Sequence, residues 1–143
     1  GFMQIGGNDI SELSKNLEIS IEQESEKMVD KLWDLALKCK RHLVKDGRMM
    51  IGKLITRDMA PKYLKQFIKN ETQLKICNSM IHEVNRKLNE RSKRDNRIIF
   101  WRTRGIEVDI KKKLKDGTHL KQGPMVDWGK QLQNAVNTAL GMM

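Results

Sequence analysis

The sequence predicts an all-α fold, a single up-and-down bundle of four to five helices with one long central helix. Three observations predict it. Apolar residues recur at three- and four-residue spacing over most of the chain, and strand-like alternation is nearly absent. The only two prolines, Pro61 and Pro124, each fall where a helix can start. With 143 residues the chain can form one domain with a modest core, so one domain is expected over 1–143, with 1–20 as a loosely attached N-terminal segment.

Asn8 and Asp9 can cap a first stretch whose apolar positions are Ile10, Leu13, Leu17 and Ile21. A second helix reads Ile21, Met28, Val29, Leu32, Leu35, Ala36, Cys39 and Leu43. Its acids, Glu22, Glu24 and Glu26, precede its bases, Lys38, Lys40, Arg41 and Lys45, in the order the helix dipole favours, and Gly47 ends it. The long third helix is expected to start near Asp58, with Pro61 in its first turn. Phe67, Leu74, Ile81 and Leu88 recur every seven residues, with Tyr63, Cys77 and Val84 offset by three. About thirty residues in this register span roughly 45 Å, the spine of a bundle. The stretch RSKRDNR (91–97) has no apolar residue and is expected to end that helix. Ile98 and Ile99 then pack as a buried corner, and Thr103 can cap a shorter helix with Ile106, Ile110 and Leu114 inward. DGTH and QGP mark a turn, and Pro124 opens a last helix with Met125, Trp128, Leu132, Val136 and Ala139 on one side.

Formal net charge is +10, unevenly placed: residues 1–34 carry three basic groups against eight acidic ones. Between Arg86 and Lys115 stand twelve basic groups against four acids, namely Arg86, Lys87, Arg91, Lys93, Arg94, Arg97, Arg102, Arg104, Lys111, Lys112, Lys113 and Lys115. That exceeds what solubility needs and points to an anionic partner. Phe100, Trp101, Met125 and Trp128 are candidate exposed apolar contacts beside it. An anionic lipid surface is one reading of this pattern, and a nucleic-acid-binding helical module is another. No zinc-finger, homeodomain or RNA-recognition signature is present, and aromatics are only 5% of the chain, which weighs against nucleic acid. No apolar run approaches the length of a membrane span, and the opening GFMQIGGND lacks the charged and apolar regions of a signal peptide.

Cys39 and Cys77 are the only cysteines. Both fall on apolar helical stripes and read first as small core residues, with a disulfide between them as the alternative. Neither has a second cysteine or a histidine at ligand spacing, so no metal and no cofactor is expected. His42, His82 and His119 have no partner at catalytic spacing, and there is no HExxH and no glycine-rich phosphate loop. No enzymatic activity is expected.

"VNRKL" closing a long helix, a short basic connection and then "WRTRGIEVDIKKKL" resemble the abalone sperm lysins. "TRDMAPKYLKQFIKNETQLKICNSMIHEVNRKL" (56–88) is similar to that family's long second helix, and "KMVDKLWDLALKCKRHLV" (27–44) to its first. The resemblance spans roughly residues 25 to 120. It implies an all-α bundle, secreted into the sperm acrosome, acting without catalysis, as a monomer or weak dimer. The family's basic tracks fall on Arg86, Lys87, Arg102, Arg104, Lys111, Lys112 and Lys113. Lysins are rich in aromatics and this chain has one tyrosine, so it is closer in character to the family's membrane-fusing, fusagenic branch. The implied partner is then the anionic egg plasma membrane, with binding to an egg-envelope glycoprotein as the alternative.

Overall fold

Two short apolar runs, MMIG and IIFW, are strands rather than helix or corner. In the computed structural model, which describes residues 1–59, 68–102, 110–114 and 119–139, they form β2 (Met49–Gly52) and β3 (Ile98–Trp101). With β1 (Phe2–Met3) they make a parallel sheet of order β1-β2-β3. The chain is therefore mixed α/β and mostly helical, which corrects the all-α bundle and the fold that the lysin resemblance implied. Strands covered on both faces read as unbroken apolar runs, without the alternation that marks a half-exposed strand. At four residues such a run carries no period of its own.

Helices fill the connections. Gly7–Leu13 (α1) and Ile21–Arg41 (α2) lead from β1 to β2, and Glu71–Arg94 (α3) precedes β3. Ile110–Lys113 (α4) and Gln122–Ala139 (α5) follow. The expected Asn8/Asp9 cap is replaced by Gly6 at φ +112, with Asn8 and Asp9 inside α1. Ser20 caps α2 by accepting the Gln23 N–H at 3.3 Å, and Asn70 caps α3 by accepting the Gln73 N–H at 2.8 Å. Helix α3 thus begins at Glu71, later than the Asp58 start read from the heptads, and 60–67 lie outside the described residues. It also continues through Arg91, Ser92, Lys93 and Arg94, because cations in a last turn suit the helix dipole. The Thr103 cap and Ile106 lie outside the described residues.

Register divides the sheet into two faces. Phe2, Met50 and Ile99 align across the strands, as do Met3, Ile51 and Phe100. Met3, Met49, Ile51 and Ile98 belong to one core cluster with Ile10 of α1, Val29, Leu32 and Trp33 of α2, and Met80, Ile81, Val84 and Leu88 of α3. The residues 1–20, expected as a loose segment, thus supply a strand and a core residue. Helix α5 lies over the other face, where the Trp128 ring meets Phe2 edge-on at 6.4 Å. Gly52 is needed on that face: a Cβ there would stand 2.5 Å from the Phe2 ring.

Candidate functional site

In an open parallel sheet, side chains and backbone left over at the carboxyl ends of the strands converge on a crevice, the usual place for a ligand. Here that edge follows Met3, Gly52 and Trp101. A crevice of about 410 Å³ opens there, with Gln4 and Gly7 after β1, Leu54, Ile55 and Arg57 after β2, and His119, Leu120, Met125 and Trp128 from the C-terminal part.

Each wall is held by a specific contact. Beyond β1 the chain turns at Gly6, whose φ of +112 is a conformation that favours glycine. A Cβ on the next residue, Gly7, would lie 2.2 Å from Nη2 of Arg57, so the absent side chain leaves room for the guanidinium. Asn8 follows, exposed at the head of α1, its carboxamide making no hydrogen bond among the described residues. Gln4 ties three elements together. Its amide donates to the Lys53 carbonyl after β2, and its oxygen accepts the Trp128 indole N–H of α5 at 2.9 Å.

The segment after β2 is clamped by two asparagines of α3. The Leu54 N–H donates to Oδ1 of Asn85 at 2.9 Å, and Nδ2 of Asn85 donates back to the Leu54 carbonyl at 2.9 Å. Two helical turns earlier Asn78 accepts from the Arg57 N–H at 2.7 Å and donates to the Arg57 carbonyl at 3.0 Å. A helix side chain thus replaces a strand partner on both peptide groups, which keeps the backbone beside the crevice extended and satisfied. His119 sits next to Leu120, which is bridged antiparallel to Leu114 and buried among Ile55, Ile110 and Trp128. Asp116, three residues before His119, lies outside the described residues.

The basic block of the sequence is divided by this fold. Arg86 is paired with Glu83 at 2.6 Å and Glu90 at 2.9 Å, hydrogen bonds that raise its pKa further. Lys87 is buried; burial alone would lower its pKa, but contacts at 2.9 Å to Glu22 and 3.0 Å to Glu26 raise it overall. Arg91 pairs with Glu26 and Asp30, and its guanidinium stands 5.8 Å from the Trp33 ring. Arg97 pairs with Asp95 at 2.7 Å. Lys93 and Arg94 are exposed at the end of α3, whereas Arg102 follows β3 at the opposite edge and Lys112 and Lys113 stand on α4 with Lys111. Arg104 and Lys115 lie outside the described residues. Of the four apolar candidates, Met125 is exposed; Phe100, Trp101 and Trp128 are half-buried. Cys39 and Cys77 are both free, and Cys77 is buried, its thiol pushed up by burial against 3.9 Å contact with the Ser11 hydroxyl.

Residue patterns did not single out Gln4, Gly6, Gly7, Arg57, Asn78 or Asn85, and His119 was read only as a turn residue. One signal was available: Asn78 and Asn85 stand seven apart beside Cys77 and Val84, on a stripe that is otherwise core. Comparison of the chain with known protein families, with curated proteins and with solved structures finds no match in any of the three.

Proposed function

We propose that this chain is a hydrolase acting on an ester-type bond, with His119 as general base in the crevice at the carboxyl edge of the sheet. The observation that carries the proposal is that His119, Gly7 and Arg57 line one crevice at that edge. A histidine there can take the proton of an attacking oxygen, a role worth about 10²–10⁴ in rate. Arg57, which lines the same crevice, supplies positive charge and N–H donors for the oxygen on which negative charge develops.

Leu54, Ile55, Leu120, Met125 and Trp128 give the crevice apolar walls suited to an acyl chain or another apolar body. No carboxylate lines it among the described residues, which sets aside a paired-carboxylate glycosidase mechanism. No hydroxyl or thiol lines it among them either. The attacking oxygen activated by His119 is therefore assigned to water or to a hydroxyl brought in by another segment. The fertilization reading rested on the resemblance to the sperm lysins, together with a strongly basic surface and apolar side chains. The division of that face and the half-burial of Phe100 and Trp101 leave the crevice as the better-supported site.

The test is hydrolysis of p-nitrophenyl esters of increasing acyl length by the purified chain. His119→Ala is expected to lose about a hundredfold or more of the activity. Equal hydrolysis by wild type and His119→Ala would sink the proposal.

A further inference from the structure

The opposite edge of the sheet holds a second crevice that the hydrolase reading does not use. Because both crossovers are helical and parallel, α2 and α3 deliver their C-termini to the amino ends of β2 and β3. The loops 42–48 and 95–97 lie side by side there, since Met49 aligns with Ile98. Both helices end in cations, Lys38, Lys40 and Arg41 on α2 and Arg91, Lys93 and Arg94 on α3. The loops add Lys45, Arg48 and Arg97.

Four of these cations, Lys40, Lys45, Arg48 and Arg97, line a crevice of about 340 Å³ together with Asn96. The only acid on the lining is Asp46, and Asp95 stands behind Arg97. Lys40, Lys45 and Arg48 form no ion pair among the described residues. On α2 and α3 away from this crevice, Lys27, Arg86, Lys87 and Arg91 are paired with acids, Lys87 and Arg91 each with two across the helix pair. A helix dipole favours cations in a last turn, but here one helix and two loops bring four of them to a single crevice.

From this placement we infer that the amino edge of the sheet binds the phosphate backbone of a single-stranded nucleic acid. The crevice is concave and its lining carries four cations against one acid, a charge complementary to a chain of phosphates. A flat bilayer would be met by protruding apolar groups, and Val44 is the only large apolar side chain exposed in these two loops. The aromatics Phe100 and Trp101 stand at the far ends of β3, so no base-stacking platform accompanies the cations. Binding is accordingly indifferent to base sequence. Four phosphate contacts on a single strand give a salt slope of about −3, a loss of about fiftyfold for a fourfold rise in salt.

Fluorescence anisotropy with a labelled single strand of about sixteen nucleotides tests this, in parallel with sedimentation of phosphatidylserine-containing vesicles. The wild-type chain is expected to bind strands of different sequence equally, with that salt slope. Lys40→Glu with Arg48→Glu should weaken binding at least tenfold, and Lys45→Gln alone should flatten the slope by about 0.7. Lys112→Glu with Lys130→Glu, exposed on α4 and α5, should leave it within about twofold. Thermal unfolding identifies any variant that has lost its fold, and Lys45→Gln is an exposed loop change that removes the charge and keeps a polar side chain. Equal binding by the Lys40/Arg48 variant, a flat salt response, or binding to vesicles with none to the strand would each overturn the inference.

Discussion

At the carboxyl edge of the sheet, polar side chains are tied to backbone: Asn78 to Arg57, Asn85 to Leu54, and Gln4 to Lys53 and the Trp128 indole. At the amino edge, Lys40, Lys45 and Arg48 face solvent without a partner acid among the described residues. The same helices serve both edges, so the difference comes from which end of each element arrives. Strand ends bring glycine turns and extended segments, which the asparagines of α3 hold in a fixed crevice. Helix C-termini bring cations, which the dipole favours and which need no tertiary partner. A rigid constellation at one edge and a charged, adaptable one at the other is the arrangement expected of chemistry and of electrostatic docking respectively.

The largest expected effect removes both edges together. Ile81 is fully buried in α3 within the cluster that includes β2 and β3. Ile81→Ala should cost about 2–5 kcal/mol, a large share of the roughly 5–15 kcal/mol that holds a domain folded. Urea unfolding followed by circular dichroism should move to a lower midpoint in a single transition. Two separate transitions would mean that the edges do not share one core.

Asn85 should separate the edges. Its side chain is buried and satisfies both the N–H and the C=O of Leu54. Asn85→Ala leaves those groups without partners at a cost of about 1–3 kcal/mol. Ester hydrolysis should fall with it, because Leu54 and Arg57 share the released segment, while anion binding at the amino edge stays as in the wild type. A loss of both functions at a temperature where the variant is folded would erase the distinction between the edges.

How much of this was legible follows the same division. Helices α2 and α5 were readable because their apolar stripes run for many residues, and α2 has a clean acid-to-base order. The strands were not, since MMIG and IIFW are each four residues and sit between basic turns that also suit helix ends. A two-residue strand such as Phe2–Met3 has no pattern at all. The basic block was visible as composition, but its sorting into answered and unanswered cations depends on α2 packing against α3, which places Glu22 and Glu26 beside Lys87. His119 was visible as a residue and invisible as a site, because only the sheet brings it to Gly7 and Arg57.

A smaller effect is expected at Gly6. Its φ of +112 disfavours any side chain, and Gly6→Ala should cost about 1–2 kcal/mol. Space is available there, since the nearest atoms to an added Cβ are the Leu32 methyls at 3.6 Å. The penalty is therefore backbone strain, and it should appear as a lower melting temperature together with weaker hydrolysis. Unchanged melting would show that the turn relaxes.

The smallest effect on stability is expected at Asp95, and there stability and binding should move in opposite directions. Hydrogen bonds from the Arg97 side chain and backbone hold its carboxyl down at about 2, below the ordinary 3.8. A folded-state value below the unfolded one means that ionised Asp95 stabilises the fold above the ordinary value. That contribution fades as pH falls toward about 2. Asp95→Asn should therefore lower the urea midpoint slightly at neutral pH and leave it equal to wild type near the acid limit. Because the pair is exposed and screened, the change at neutral pH should be small. The same substitution releases Arg97, which lines the amino-edge crevice, from its paired charge. Affinity for a single strand should then rise. A fall in affinity would mean that Asp95 positions Arg97 for the phosphate instead of competing with it. The amino edge would then be a built constellation like the carboxyl one.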